Sequence, residues 1–313
     1  MLQQPCFEGK VLLTGGAGFV GGHLVRRLLA QGTPLRLLAR RPAKVPQHLP
    51  AAEVVQGDIN DPRSLAAAME GAAAVVHLVG IIRERRGAGF HKVHVQGTEN
   101  VLRACRRAGV ARLLHMSALG ARPDARACYH RTKWAAEEAV RASGLDYTIF
   151  RPSVIFGSGD EFVNRLVRLV RRAPLIPVIG DGLRLLQPIW VEDVVSCFVQ
   201  SLSKRETIGE SYDLGGPETL GLLEIVEMIR DQLHLSKPIL HFPVWLVRPQ
   251  AWVMQRLLPN PPLTTEQLTM LQEDNVCDLR SVEDTFQLTW KRLETYLEEL
   301  LSADPARAPS PVR

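Results

Sequence analysis

Cysteine is scarce in this chain: five residues, Cys6, Cys105, Cys128, Cys197 and Cys277, are scattered over 313 positions. None pair at metal-ligand spacing, so they read as the reduced thiols of a cytosolic protein. Long apolar runs are also missing. The longest, residues 72–82, is too short to cross a bilayer and contains His77. No leader peptide is expected before the first strand, which begins by Lys10. Charge of one sign is only mildly in excess, at +5 with an isoelectric point near 9.1. That balance suits anionic ligands but is too diffuse for a nucleic-acid binder. The isolated histidines, including His91 and His115, show no metal-ligand pattern, so no metal is expected. With 46% hydrophobic and 23% charged residues, an ordinary globular composition remains. The expected location is cytoplasmic, at most peripheral to the inner face of the plasma membrane.

What is present is concentrated near the start. An apolar run, Val11-Leu12-Leu13, passes through Thr14 into Gly15-Gly16-Ala17-Gly18-Phe19-Val20-Gly21, and Leu24, Val25, Leu28 and Leu29 follow at helical spacing. This predicts a strand, a tight turn and a helix. Gly15 allows the turn, Gly18 lets the backbone approach a pyrophosphate, and Gly21 lets the helix pack closely. Free N–H groups at the helix start then hold the anion. Thr14, Gly15, Ala17, Gly18, Phe19, Val20 and Gly21 are therefore candidate contacts of a dinucleotide.

Strands and helices alternate through the first half. Strands are expected at 35–39, 53–56, 74–79, 112–116 and 146–150, and helices at 97–107 and 131–142. Asp61 and Pro62 carry the cap and first position of another helix. Such alternation needs crossover connections and a parallel sheet covered on both faces. The expected fold is α/β: a doubly wound Rossmann sheet of order 3-2-1-4-5-6 with a smaller, mainly helical C-terminal lobe. The nucleotide domain is expected over 1–152, with returning segments near 187–215. The smaller lobe covers 153–186 and 216–302, and 303–313 forms a disordered tail.

After the second strand, where a carboxylate would bond a ribose 2′-hydroxyl, the chain carries Arg40-Arg41. Two guanidinium groups suit a 2′-phosphate, which favours NADP(H) over NAD(H); a solvated basic loop is the alternative. Asp58, just past the third strand, can bond an adenine amino group or simply cap its own turn. Tyr129 and Lys133 stand four apart in a helical segment and so share a face. An ammonium beside a phenol favours phenolate. Ser117, at the carboxyl end of the fifth strand, would orient a substrate oxygen there. A packing tyrosine beside a surface lysine is the competing reading.

These motifs together resemble the short-chain dehydrogenase/reductase superfamily in its extended and atypical branches. The matching pieces are residues 14–21, Gly57-Asp58-Ile59, Gly97-Thr98-Glu99-Asn100-Val101-Leu102, Tyr129 with Lys133, Arg151-Pro152 and Trp190-Val191-Glu192-Asp193-Val194. Within it, His77-Leu78-Val79-Gly80, Val93-His94-Val95, residues 116–121, residues 263–268 and Asp274-Asn275-Val276 are similar to the branch holding the NADPH-binding accessory subunit of respiratory complex I and its bacterial relatives. The resemblance implies Ile59, Leu78, Val79, Gly80, Lys133, Arg151 and Pro152 as further cofactor-binding positions, with Ser117, Tyr129 and Lys133 catalytic. It implies either a nucleotide-bearing accessory or quinone-linked subunit with a respiratory-complex or membrane-surface partner, or an active reductase or sugar-nucleotide epimerase/dehydratase on a small carbonyl or quinone-type substrate. Two departures stand out. His94 occupies the place of the usual asparagine, and the link from Ser117 to Tyr129 is shorter than in the sugar-nucleotide epimerases.

Two stretches lie outside these motifs. Arg165, Arg168, Arg171 and Arg172 line one face of an amphipathic helix, which suits anionic lipid, an acidic partner or a phosphorylated substrate, or else plain solvent. Residues 244–258 are rich in large apolar groups, for which core packing of the smaller lobe is expected, with a membrane or partner contact as the alternative.

Overall fold

The computed structural model describes residues 7–42, 52–84, 87–258 and 261–302. The expected tail at 303–313 lies outside them. In chain order the strands begin with β1 (Val11–Thr14), β2 (Leu35–Ala39), β3 (Glu53–Gln56), β4 (Ala74–His77), β5 (Arg112–Met116) and β6 (Asp146–Pro152). Then come β7 (Ile155–Phe156), β8 (Ile176–Ile179), β9 (Leu185–Leu186), β10 (Ile189–Trp190), β11 (Ser211–Leu214), β12 (Leu220–Gly221) and β13 (Ile239–Phe242). The first helices are α1 (Phe19–Ala30), α2 (Pro62–Met69), α3 (Gly97–Ala108), α4 (Cys128–Arg141), α5 (Phe162–Arg172) and α6 (Val191–Ser203). The rest are α7 (Leu222–Gln232), α8 (Val244–Leu257), α9 (Thr265–Met270), α10 (Arg280–Thr285) and α11 (Leu293–Ser302).

Two units divide the chain. The first comprises the residues up to Pro152 together with Val191–Leu214 and Cys277–Leu288. Its seven parallel strands run in the order β11-β6-β5-β4-β1-β2-β3, the doubly wound pattern that the βα alternation predicts. Every residue of β1, β2 and β4 is buried, as helices on both faces require, whereas β3 at the sheet edge is mostly exposed. Asp61 caps α2 by accepting from the Arg63 N–H, and Pro62 takes the first helical position. Gly32, at φ +74°, closes the turn after α1. Helix α4 starts three residues earlier than the sequence pattern suggests, which brings Tyr129 and Lys133 into one continuous helix. Helical structure also begins earlier ahead of α3, where His91–Gln96 forms a π-helical segment. Such wide turns recur at functional sites.

The second unit comprises Ser153–Trp190, Gly215–Val276 and the residues from Thr289 onward. It holds α5, α7, α8, α9 and α11 with three two-stranded ladders, β7–β10, β8–β13 and β9–β12. Ser211–Leu214 does join the large sheet, beside β6. Ile189–Trp190 pairs instead with Ile155–Phe156. On α5 the apolar face (Val163, Val167, Val170) is buried in this unit's core with Phe156, Ile225, Ile229 and Leu297. The basic face is left outward, so the arginine pattern is that of a surface helix.

Candidate active site and nucleotide corner

The turn after β1 is built around close backbone approach. Gly15 has φ +85°, and a Cβ there would stand 3.1 Å from the Leu78 carbonyl carbon. A Cβ on Gly21 would fall 2.2 Å from the Gly15 oxygen, so the start of α1 rests directly on the turn. Gly18 differs. A Cβ there would meet only the Gly15 oxygen, at 3.2 Å, within 4 Å. Gly18 is the N-cap of α1, makes no side-chain cap and is exposed, as is Ala17. A helix end without a capping side chain or an acidic residue in its first turn, fronted by an open glycine, leaves free N–H groups of the kind that suit an anion such as a diphosphate. Phe19 is half-buried, edge-on to His23 at 5.5 Å, while Val20 and Gly21 are buried. Thr14 is fully buried, with its hydroxyl 2.7 Å from His77 Nδ1.

The other expected nucleotide contacts sit at the carboxyl ends of neighbouring strands or just beyond them. Arg40 and Arg41 are exposed after β2. Asp58 follows β3, and its Oδ1 accepts from the Asn60 backbone (2.8 Å) and side-chain (3.0 Å) N–H groups, so it closes its own turn. Ile59 is buried, and its carbonyl accepts from Asn100 Nδ2 at 3.0 Å. After β4, Leu78 is buried, Val79 half-buried and Gly80 exposed. A Cβ on Gly80 would be 3.0 Å from Lys133 Nζ, so this glycine makes room for the lysine.

Lys133 is buried and donates to the Met116 carbonyl at 2.9 Å, which ties α4 to the end of β5 immediately before Ser117. Ser117 is itself buried, its N–H donates to the Phe150 carbonyl at 2.7 Å, and its Oγ has no hydrogen-bond partner. An unsatisfied buried hydroxyl costs roughly 1–3 kcal/mol, a cost that a bound oxygen would remove. Tyr129, one turn before Lys133, packs edge-on to His94 at 5.5 Å and to Phe90 at 5.9 Å. Burial alone pushes its phenol up, to about 12. Burial also pushes the Lys133 ammonium down to about 8, while the Glu137 carboxylate raises it. The expected lowering of the phenol by the lysine is therefore not seen: desolvation alone sets the direction.

Several residues of this site were not anticipated in their roles. His94 Nε2 accepts from the Ile81 N–H at 3.0 Å, and its Nδ1 lies 3.0 Å from the Thr132 hydroxyl. That hydroxyl donates into α4, toward the carbonyls of Cys128 (3.0 Å) and Tyr129 (2.9 Å), so Nδ1 carries the proton. Burial first, then the Lys133 charge, pushes His94 down to about 2, so it stays neutral. In place of asparagine, His94 pins the loop after β4 to the tyrosine helix. Glu137, fully inaccessible one turn after Lys133, takes three contacts from Arg151 (2.6, 2.9 and 3.1 Å) and one from Arg141 (2.6 Å). Arg151 also reaches Asp213 at 3.4 Å, and the buried Pro152 accepts from the Leu119 N–H at 2.9 Å. The Arg151-Pro152 motif therefore braces β6 against α4 and the segment carrying Ser117. The four-residue spacing of Lys133 and Glu137 is the sequence signal that would have found this carboxylate.

Known proteins are similar to this chain. A family model described as NAD(P)H-binding matches residues 15–167, and one described as an RmlD substrate binding domain matches residues 120–259. A 3 beta-hydroxysteroid dehydrogenase/Delta 5-->4-isomerase of Mycobacterium tuberculosis is 32% identical over 83% of this chain and 81% of its own length. The chain belongs to the extended short-chain dehydrogenase/reductase family. As a member of that epimerase/dehydratase-like family it is an NAD(P)-binding protein of oxidoreductase type. A ceramide reductase of Caulobacter vibrioides is 38% identical over 61% of this chain, a match spanning 60% of that relative's length. The mitochondrial NADH dehydrogenase [ubiquinone] 1 alpha subcomplex subunit 9 of Arabidopsis thaliana is 28% identical over 84% of this chain and 69% of its own. Among solved structures, the dTDP-glucose 4,6-dehydratase DesIV of Streptomyces venezuelae superposes with TM-score 0.73 at 21% identity, covering 94% of this chain and 96% of its own, a likeness of fold. Among the described residues, no helix is long and apolar enough to cross a membrane.

Proposed function

We propose that this family member is an active NADPH-dependent reductase of an apolar, lipid-like carbonyl or a quinone. The observation that carries this reading is the convergence at the end of β5. Lys133 is bonded to the carbonyl of Met116, the next residue is a buried serine with an unused hydroxyl, and Tyr129 lies one turn along the same helix. When bound, the nicotinamide supplies the hydride. The Ser117 hydroxyl donates a hydrogen bond to the substrate oxygen, and the Tyr129 hydroxyl gives that oxygen its proton. Lys133 holds the ribose and keeps positive charge beside the developing phenolate. The names of two relatives, one acting on ceramide and one on hydroxysteroids, support a lipidic substrate. Arg40 and Arg41, exposed after β2, support NADP(H) over NAD(H). The test is to release and identify the nucleotide carried by the purified protein, then to follow oxidation of its reduced form by added lipid carbonyls and quinones. Absence of oxidation by any of them overturns the reading.

Replacing both Arg40 and Arg41 by alanine is expected to weaken NADPH binding by about tenfold or more and to leave NADH binding unchanged, as fluorescence titration would measure. Equal loss for both nucleotides would refute the assigned preference. Gly18→Ala is expected to weaken either nucleotide by at least about tenfold at a nearly unchanged melting temperature, because its methyl group meets little of the protein itself.

A second reading has its own support. The match to the complex I subunit spans most of the chain. In that reading the nucleotide is a fixed structural ligand of an accessory subunit on a respiratory complex.

A further inference from the structure

Helix α8 reverses the expectation of a packed core segment. Of its fourteen residues only Ala251 is buried. Trp245 is 74% and Leu257 75% exposed, and Leu246, Trp252 and Val253 are exposed beside them. The pairs Trp245/Trp252 and Leu246/Val253 are each seven apart, so at 3.6 residues per turn they fall on one side, with Ala251 on the other. Arg248 and Arg256 are exposed on the same side, and the Arg256 guanidinium lies over the Trp252 ring at 3.9 Å. Leu258, just past the helix, and Leu240 on β13 add to the exposed apolar surface.

Folding does not leave such a face open without an occupant in view. The charge pattern says which occupant it fits. From Gln232 to Thr265 the sequence has no aspartate or glutamate, while Lys237, Arg248 and Arg256 fall within the stretch. Lys237 is spent on the carbonyls that end α5, those of Val170 (3.0 Å), Arg171 (2.8 Å) and Ala173 (2.8 Å). The two arginines of α8 remain outward. Tryptophans with bulky aliphatic groups on one helical face, interleaved with arginines and free of acids along the segment, match the boundary between acyl chains and anionic headgroups. Helix α5 has the opposite design, since its apolar side is already inside the unit.

We propose that α8 docks this protein on the surface of an anionic phospholipid bilayer. The aromatic and aliphatic side chains enter the headgroup boundary, and Arg248 and Arg256 bind lipid phosphates. The docking goes beyond the reductase reading and uses no residue of the nucleotide corner or of the Ser117–Tyr129–Lys133 group.

The test is co-sedimentation of the full chain with vesicles of phosphatidylcholine alone and of phosphatidylcholine mixed with phosphatidylglycerol. Tryptophan emission and NADPH titration are recorded on the same samples. Wild-type protein is expected to bind the mixed vesicles at least about tenfold more tightly than the neutral ones, with a blue shift of its emission. The double variant Trp245→Ala/Leu257→Ala should lose about tenfold or more in vesicle affinity at unchanged NADPH affinity. Arg248→Gln/Arg256→Gln should erase the preference for the anionic vesicles. No wild-type binding, or binding that both double variants retain, overturns the proposal. Self-association by light scattering that Trp245→Ala/Leu257→Ala abolishes, without vesicle binding, overturns it in favour of a second copy of this chain. Vesicle binding in protein that fails to bind nucleotide leaves the docking standing and removes the reductase reading.

Discussion

Tyr129→Phe is expected to lower kcat for carbonyl reduction by about 10²–10⁴-fold, the range that positioned proton transfer supplies, while the Kd for NADPH moves less than about twofold. The change removes one hydroxyl and keeps the ring that packs on Phe90 and His94, so the site should hold its shape. Steady-state kinetics and nucleotide titration on the same preparation check both halves. Burial holds the phenol protonated, at about 12, so in the reducing direction the proton donor is in its competent form at every working pH. The reverse oxidation needs phenolate and should therefore speed up as pH rises. A kcat unchanged in Tyr129→Phe would remove the catalytic reading and leave the bound nucleotide as a scaffold, the role considered for a complex I-type subunit.

Glu137→Ala should have the largest effect on stability. The carboxylate has no exposure and answers two guanidinium groups, those of Arg141 and Arg151, both of which also lie over the Trp134 ring at 4.8 and 5.8 Å. Removing one partner of a buried pair typically costs about 3–5 kcal/mol, because the remaining charge is left in a poorly solvating place. Denaturant unfolding should show that loss as a lower midpoint at unchanged slope. Activity should fall as well, since Glu137 also sustains the charge on Lys133. Replacing Asp213 as a control should cost far less, because it is 3.4 Å from Arg151 and partly exposed.

Strand order, the glycine turn and the shared face of Tyr129 and Lys133 were legible because each rests on local chemistry: burial periodicity, allowed φ and helical spacing. Helix starts were less legible. The segment before Gly97 carries no capping residue to mark it, and His94, within its wide π turn, finds its partners Ile81 and Thr132 only across the fold. Asp58 shows the same division. Its residue type and place after β3 fit either an adenine contact or a turn cap, and the folded loop gives Oδ1 to Asn60.

Helix α8 is the sharpest case. Its composition alone argues for a core helix, since tryptophan, leucine and valine are ordinarily buried. Whether an apolar face is covered depends on what other elements stand opposite it, a property of the assembled unit. The amino-acid sequence by itself thus determined the doubly wound sheet, the glycine corner after β1 and the identities of the serine, tyrosine and lysine, each set by local chain chemistry. Only the tertiary structure decided that Ser117 Oγ is unpartnered, that burial alone shifts the Tyr129 phenol, and upward, that Glu137 anchors Arg151, and that α8 faces outward. Each of those depends on burial and on partners brought together from distant parts of the chain.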